Sequence, residues 1–131
     1  MALLILAAVS GTGKSTVARA LLAQRPSLML SVSHTTRLPR HTESNGVDYH
    51  FVDRDAFLLM VEQGAFVESA EYVGNLYGTA HETISQAAVR DVDLLFDIEM
   101  QGARQLKSAY PEAIAIFLLP PSWATLAQRL K

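Results

Sequence analysis

A continuous apolar run near the start of the chain, Leu3-Leu4-Ile5-Leu6-Ala7, leads into Ser10-Gly11-Thr12-Gly13-Lys14-Ser15. Beyond it Val17, Ala18, Leu21 and Leu22 recur at helical spacing. An apolar run without alternation predicts a strand covered on both faces, as in the middle of a parallel sheet. The helix is predicted over 15–24, with Pro26 just past its end. Strand, glycine turn and helix in that order constrain the fold more than any other feature of the sequence. Glycines there let backbone N–H groups turn inward where side chains would clash, and the helix N-terminus adds partial positive charge. Such a turn suits phosphate oxygens.

The rest of the chain keeps an α/β rhythm with one interruption. Further strands are predicted at 28–32, 92–97 and 113–119, and helices at 101–109 and from Ser122 to the end, after Pro120-Pro121. Three apolar strands alternating with helices predict a parallel sheet flanked by helices. The interruption runs over about 33–89. Within it, 33–45 reads as loop, 49–52 as extended, and Asp53 as the cap of a helix through Gln63 that stops at Gly64. Residues 66–73 alternate up to a turn at Gly74-Asn75, and 79–89 reads as helix. We therefore expect one domain, with a core of 1–32 and 90–131 and an inserted mixed α/β subdomain between them.

Composition narrows the function classes. The 131 residues include no cysteine, which excludes disulfides, thiolate metal sites and cysteine nucleophiles. A net charge of −2 argues against general nucleic-acid binding. The apolar run at 2–9 is too short to span a membrane, so a cytoplasmic protein without membrane association is expected. His34, His41, His50 and His81 lack metal-ligand spacing and read as surface or loop residues. Arg37 and Arg40 lie close together in a polar stretch and form a candidate local anion site.

Ala8-Val9-Ser10-Gly11-Thr12-Gly13-Lys14-Ser15 fits the relaxed P-loop pattern, with Ala8 in place of the first glycine. In that pattern the eight residues bind ATP, Lys14 reaches the β- and γ-phosphates, and Ser15 ligates Mg²⁺. Asp97 closes an apolar strand, the position of an acid that organises Mg²⁺ through water.

Several further segments occur in order: Ser33-His34-Thr35-Thr36-Arg37-Leu38-Pro39-Arg40, Gly46-Val47-Asp48-Tyr49, Gly64-Ala65-Phe66-Val67-Glu68, Gly74-Asn75-Leu76-Tyr77-Gly78-Thr79, Asp97-Ile98-Glu99-Met100-Gln101-Gly102-Ala103 and Phe117-Leu118-Leu119-Pro120-Pro121-Ser122. Together they resemble the guanylate kinase signature over essentially the whole chain. The resemblance implies a P-loop-type fold with an inserted GMP-binding subdomain, ATP and GMP as partners, and a monomer or homodimer. It places Ser33, Arg37, Arg40, Tyr49, Glu68, Tyr77, Thr79, Asp97 and Glu99 at GMP, and Lys14, Arg37 and Arg40 in catalysis. Glu99 stands where the family has an aspartate, one methylene shorter.

In the family the chain continues past the helix near Ser122 into an arginine-bearing lid over ATP. A chain ending at Lys131 is therefore expected to be C-terminally incomplete, to keep GMP recognition and to transfer slowly. A non-catalytic binding module of the same fold, or an inactive fragment that still binds GMP, is the alternative.

Overall fold

The structure, a computed structural model, describes residues 1–8 and 13–119. In chain order the elements are β1 (Leu3–Ala8), α1 (Lys14–Gln24), β2 (Leu28–Leu30), β3 (His34–Thr35), β4 (His50–Phe51), α2 (Arg54–Glu62), β5 (Phe66–Tyr72), β6 (Asn75–Ala80), α3 (His81–Arg90), β7 (Asp93–Asp97), α4 (Met100–Ala109) and β8 (Ile114–Leu118). They fall into two compact units, Met1–Leu30 with Asp91–Lys131, and Ser31–Arg90. The helix expected from Ser122 lies outside the described residues. No helix among the described residues is long and apolar enough to cross a membrane.

The first unit is built on a four-stranded sheet in the order β2-β7-β1-β8, every pair of it parallel. The unalternated apolar runs have the physical consequence anticipated for them, because β1 is covered on both faces. Leu6, Leu95, Ala18 and Leu28 form one buried cluster, joined by Leu4, Val17, Leu21 and Leu22, which sets α1 on the even-numbered face of β1. Ile5 and Phe96, register partners, lie on the opposite face with no exposed surface. Each such side chain contributes about 1.5–3 kcal/mol by leaving water. Helix α4 buries Gly102, Ala103 and Leu106.

The second unit carries a mixed sheet in the order β4-β3-β6-β5. Strand β3 pairs parallel with β4 and antiparallel with β6, and β5 with β6 forms an antiparallel hairpin. Helix α2 starts at Asp53, whose side chain accepts from the Ala56 amide at 2.7 Å, a cap worth about 1 kcal/mol.

Three expectations change here. The turn sits one residue earlier than expected: Tyr72 pairs with Asn75, and the two residues between them, Val73 (φ 51°) and Gly74 (φ 80°), both have positive φ, as a tight right-twisted hairpin demands. Thr79 and Ala80 belong to β6 rather than to a helix, since Ala80 pairs with Phe66 and α3 begins only at His81. His34 and His50 are half-buried strand partners rather than loop residues.

Candidate functional site

In the first unit, Leu95 and Asp97 point to the same side of β7 because side chains alternate along a strand. Leu95 packs in the α1 cluster, so Asp97 continues that face toward the first turn of α1. There Lys14 Nζ meets Asp97 Oδ1 at 2.9 Å and donates to the Ile98 carbonyl at 3.1 Å. A cation at a helix N-terminus opposes the helix dipole, and these two acceptors offset that. Gly13 adopts φ 82° immediately before α1, and its carbonyl accepts from Thr16 and Val17. Ser15 is exposed beside Lys14, and Ala8 ends β1. Val9, Ser10, Gly11 and Thr12 lie outside the described residues. Lys14 and Asp97 thus meet where strand C-terminal ends face a helix N-terminus, the usual ligand position of an open parallel sheet.

Glu99 has a structural duty. It is the N-cap of α4, accepting from Gln101 at 2.8 Å and from Gly102. Each carboxylate oxygen carries two acceptor sites, so one on each remains after these two bonds.

The second unit gathers most of the other candidates on one face of its sheet. Thr35, Phe51, Tyr77 and Ala70 are register partners across β3, β4, β6 and β5. Thr79 follows Tyr77 by two residues, and Tyr49 precedes Phe51 by two, so both fall on that same face. The register shifts between Phe66 and Glu68, and this bulge turns Glu68 to face Thr79. Thr79 Oγ1 donates to Glu68 Oε1 at 2.7 Å, and both residues are buried, at 0% and 4% exposure. The other face is the unit's core, where Phe66 stacks on Phe57 at 4.6 Å and contacts His34 edge-on at 5.6 Å.

Arg37 lies just beyond β3 on the polar face. Its guanidinium sits 5.2 Å from the Tyr49 ring centre and 6.0 Å from that of Phe51, and the Tyr49 and Tyr77 rings are 6.0 Å apart. Its two terminal nitrogens grip Glu43 in a fork, at 2.9 Å each. The Arg37 pKa is raised, first by that bond, with Tyr77 and Tyr49 adding to it. Glu43 in turn is held down to about 2, first by Arg37 and then by the Arg40 amide, which donates to Oε1 at 2.8 Å. The Arg40 side chain is exposed, and Ser33 accepts from the His50 amide through its carbonyl.

Glu43, three residues after Arg40 and six after Arg37, carries no sequence signal of this role. Thr35 and Thr36 escaped sequence reasoning as well. Thr35 Oγ1 donates to the Leu76 carbonyl at 2.9 Å and accepts from the Arg37 amide at 3.2 Å, while the Leu76 amide donates to Thr36 Oγ1 at 2.9 Å. These bonds pin the arginine loop to β6.

Comparison with known proteins identifies the family. The guanylate kinase family model matches residues 1–131. The chain is 50% identical over 127 residues to a guanylate kinase of Neisseria gonorrhoeae, covering 97% of this chain and 62% of that protein. It is 51% identical over 128 residues to one from Thermus thermophilus, covering 98% of this chain and 58% of the relative. The crystal structure of guanylate kinase from Anaplasma phagocytophilum superposes with a TM-score of 0.79 at 32% identity, over 98% of this chain and 65% of that one. The chain therefore spans somewhat under two thirds of the length of the relatives it matches. Matched along its whole length by the family model, and half identical to two of its bacterial members, the chain belongs to the guanylate kinase family.

Proposed function

We propose that the chain acts as a guanylate kinase, moving the terminal phosphoryl group of ATP to GMP and yielding ADP and GDP. One observation carries the reading. The polar face of the second unit's sheet holds an arginine–tyrosine cluster and, two residues along β6, the buried Glu68–Thr79 pair. Two residues of strand cover about 7 Å, the scale of a nucleoside. Arg37, Arg40, Tyr49 and Tyr77 offer donors suited to a phosphate. Glu68 offers an acceptor to the adjacent N1–H and N2–H₂ donors of guanine, a pair that adenine lacks. Ser33 and Thr79 fill remaining polar positions of the base, and the family resemblance assigns Asp97 and Glu99 to GMP as well.

On this reading residues 8–15 bind ATP, with Lys14 on the β- and γ-phosphates. Its present partners, Asp97 and the Ile98 carbonyl, hold the ammonium extended at the helix start before ATP arrives. Ser15 and Asp97 are hard oxygen donors and fit Mg²⁺. Mg²⁺ entering with ATP would neutralise phosphate charge, held by the Ser15 hydroxyl and reached by Asp97 through water. A phosphate oxygen of GMP forms the new bond to the γ-phosphorus as the bond to the ADP oxygen breaks, so no protein nucleophile is needed. Lys14, Arg37 and Arg40 stabilise the charge on the transferring group and hold the acceptor in line. We place the protein in the cytoplasm.

The test is transfer of labelled γ-phosphate from ATP to GMP or AMP, by the wild-type chain and by Glu68→Gln. GDP formation that outruns ADP formation from AMP, with the preference lost in the variant, is the expected result. A hydrogen bond to a charged group is worth about 1.5–3 kcal/mol, so the loss for GMP should be about ten- to a hundredfold. The Thr79 hydroxyl can still donate to the glutamine carbonyl, which protects the fold. GMP binding without any transfer would sink the enzymatic reading and leave a binding module.

A further inference from the structure

We propose that Glu43 is a positioning residue for phosphate recognition, fixing both arginines of the acceptor site before the nucleotide arrives. The inference rests on the acceptor reading above and adds a residue to it.

The donor count of Arg37 points to this role. A guanidinium has five N–H donors in a rigid plane. One terminal nitrogen donates to the Leu38 carbonyl at 3.1 Å and to Glu43 Oε1 at 2.9 Å; the other donates to Glu43 Oε2 at 2.9 Å. The Glu43 fork sets the rotation of the guanidinium within its plane, and the Tyr49 and Phe51 rings limit where that plane lies. Those three bonds use three of the five donors, and Tyr77 and Tyr49 hydrogen-bond the same guanidinium. Arg40 is fixed by the same residue. Its amide donates to Glu43 Oε1 at 2.8 Å, and its carbonyl accepts from the Glu43 amide at 2.9 Å. A single carboxylate therefore sets the aim of one arginine side chain and the backbone of the other.

A carboxylate beside a phosphate site could instead be a stand-in that the phosphate must displace. The bonding argues against this. Displacement would take the carboxylate from the Arg40 amide as well as from the Arg37 fork, and Glu43 is only 14% exposed. The two roles predict opposite signs. A competitor, once neutralised, lets phosphate bind more tightly. A positioning residue, once neutralised, leaves Arg37 to be ordered at the expense of binding, which is worth about tenfold for one such side chain.

The experiment compares GMP with guanosine in wild type, Glu43→Gln and Glu43→Gln combined with Arg37→Ala, by NMR titration of the second unit's amides. Gln keeps the shape but turns a donor toward the Arg37 fork. The expected result is about tenfold weaker GMP binding in Glu43→Gln, unchanged guanosine binding, and no further effect of Glu43→Gln once Arg37 is gone. Unchanged or tighter GMP binding overturns the proposal. Parallel loss of GMP and guanosine also overturns it, since that marks a merely structural role. If wild type binds AMP as well as GMP, the guanine reading fails separately, and Glu43 is judged from the loss of AMP against adenosine.

Discussion

His34 occupies an uncomfortable position for an ionisable side chain. Its Nδ1 is buried without a hydrogen-bond partner, its ring lies 4.6 Å from that of His50, and Phe66 meets it edge-on. Burial lowers its pKa first and the neighbouring His50 adds to this, while Glu82 opposes both. The folded value therefore lies below the ordinary 6.5. Between the two values the unfolded chain binds the proton and the folded chain does not, so stability rises with pH there. The contribution is fully present above 6.5 and is lost as pH falls through the folded value. Thermal unfolding between pH 7 and pH 5 should show this as a falling midpoint. A His34→Phe chain, which keeps an aromatic ring against Phe66 but cannot take the proton, should fall less steeply. Identical slopes in the two chains would mean that His34 contributes nothing to the pH dependence.

At the scale of elements, Gly78 decides how β6 packs. It lies on the core face of the hairpin, and a Cβ placed there would come within 2.8 Å of the Phe66 ring. That ring has little room to yield, since Phe57 stacks on it at 4.6 Å and His34 sits at 5.6 Å. Gly78→Ala should therefore destabilise by about 1–3 kcal/mol, the usual cost of overpacking, seen as a lower urea midpoint. An unchanged midpoint would show that the ring moves freely.

The same strand shows why part of the fold could not be read in advance. The runs at β1 and β7 declare themselves because a doubly covered strand must be apolar throughout, whereas the equally apolar run at β8 leaves Ile114 and Phe117 about half exposed. The sequence of β6, Asn75-Leu76-Tyr77-Gly78-Thr79-Ala80, has no clean alternation: its polar residues serve a polar face, and its core face needs a glycine under Phe66. Two-residue β3 is held by the threonine bonds to Leu76 rather than by its own propensity. In the candidate site, Arg37 and Arg40 were marked by residue type alone, and Tyr49 and Glu68 only through the family resemblance. Glu43 was not, because one glutamate in a polar loop is indistinguishable from a solvated one until the Arg37 fork closes on it.

At the scale of the molecule, the two chemistries divide between the two units. Lys14 and Asp97 belong to the unit of Met1–Leu30 and Asp91–Lys131, whereas Arg37, Glu43, Tyr49, Glu68, Tyr77 and Thr79 belong to Ser31–Arg90. A ligand that binds only the folded form of its unit slows those amides that exchange by opening that unit. The limit is set by ligand concentration, and at 100 times Kd it is about 2.7 kcal/mol, or a hundredfold. GMP should therefore slow hydrogen exchange in β3, β5 and β6 by up to about that factor, and ATP with Mg²⁺ should act on α1 and β7. Slowing at residues 97–101 on GMP addition would place Asp97 and Glu99 in the acceptor site as proposed; its absence would confine GMP to the second unit and leave Glu99 as the cap of α4. Protection of α1 by GMP, with β5 and β6 unchanged, would reverse the assignment of the two units. The Lys14→Ala chain gives the independent control. Residues that share no partners have nearly additive effects, so this chain should lose ATP protection in the first unit and keep GMP protection in the second.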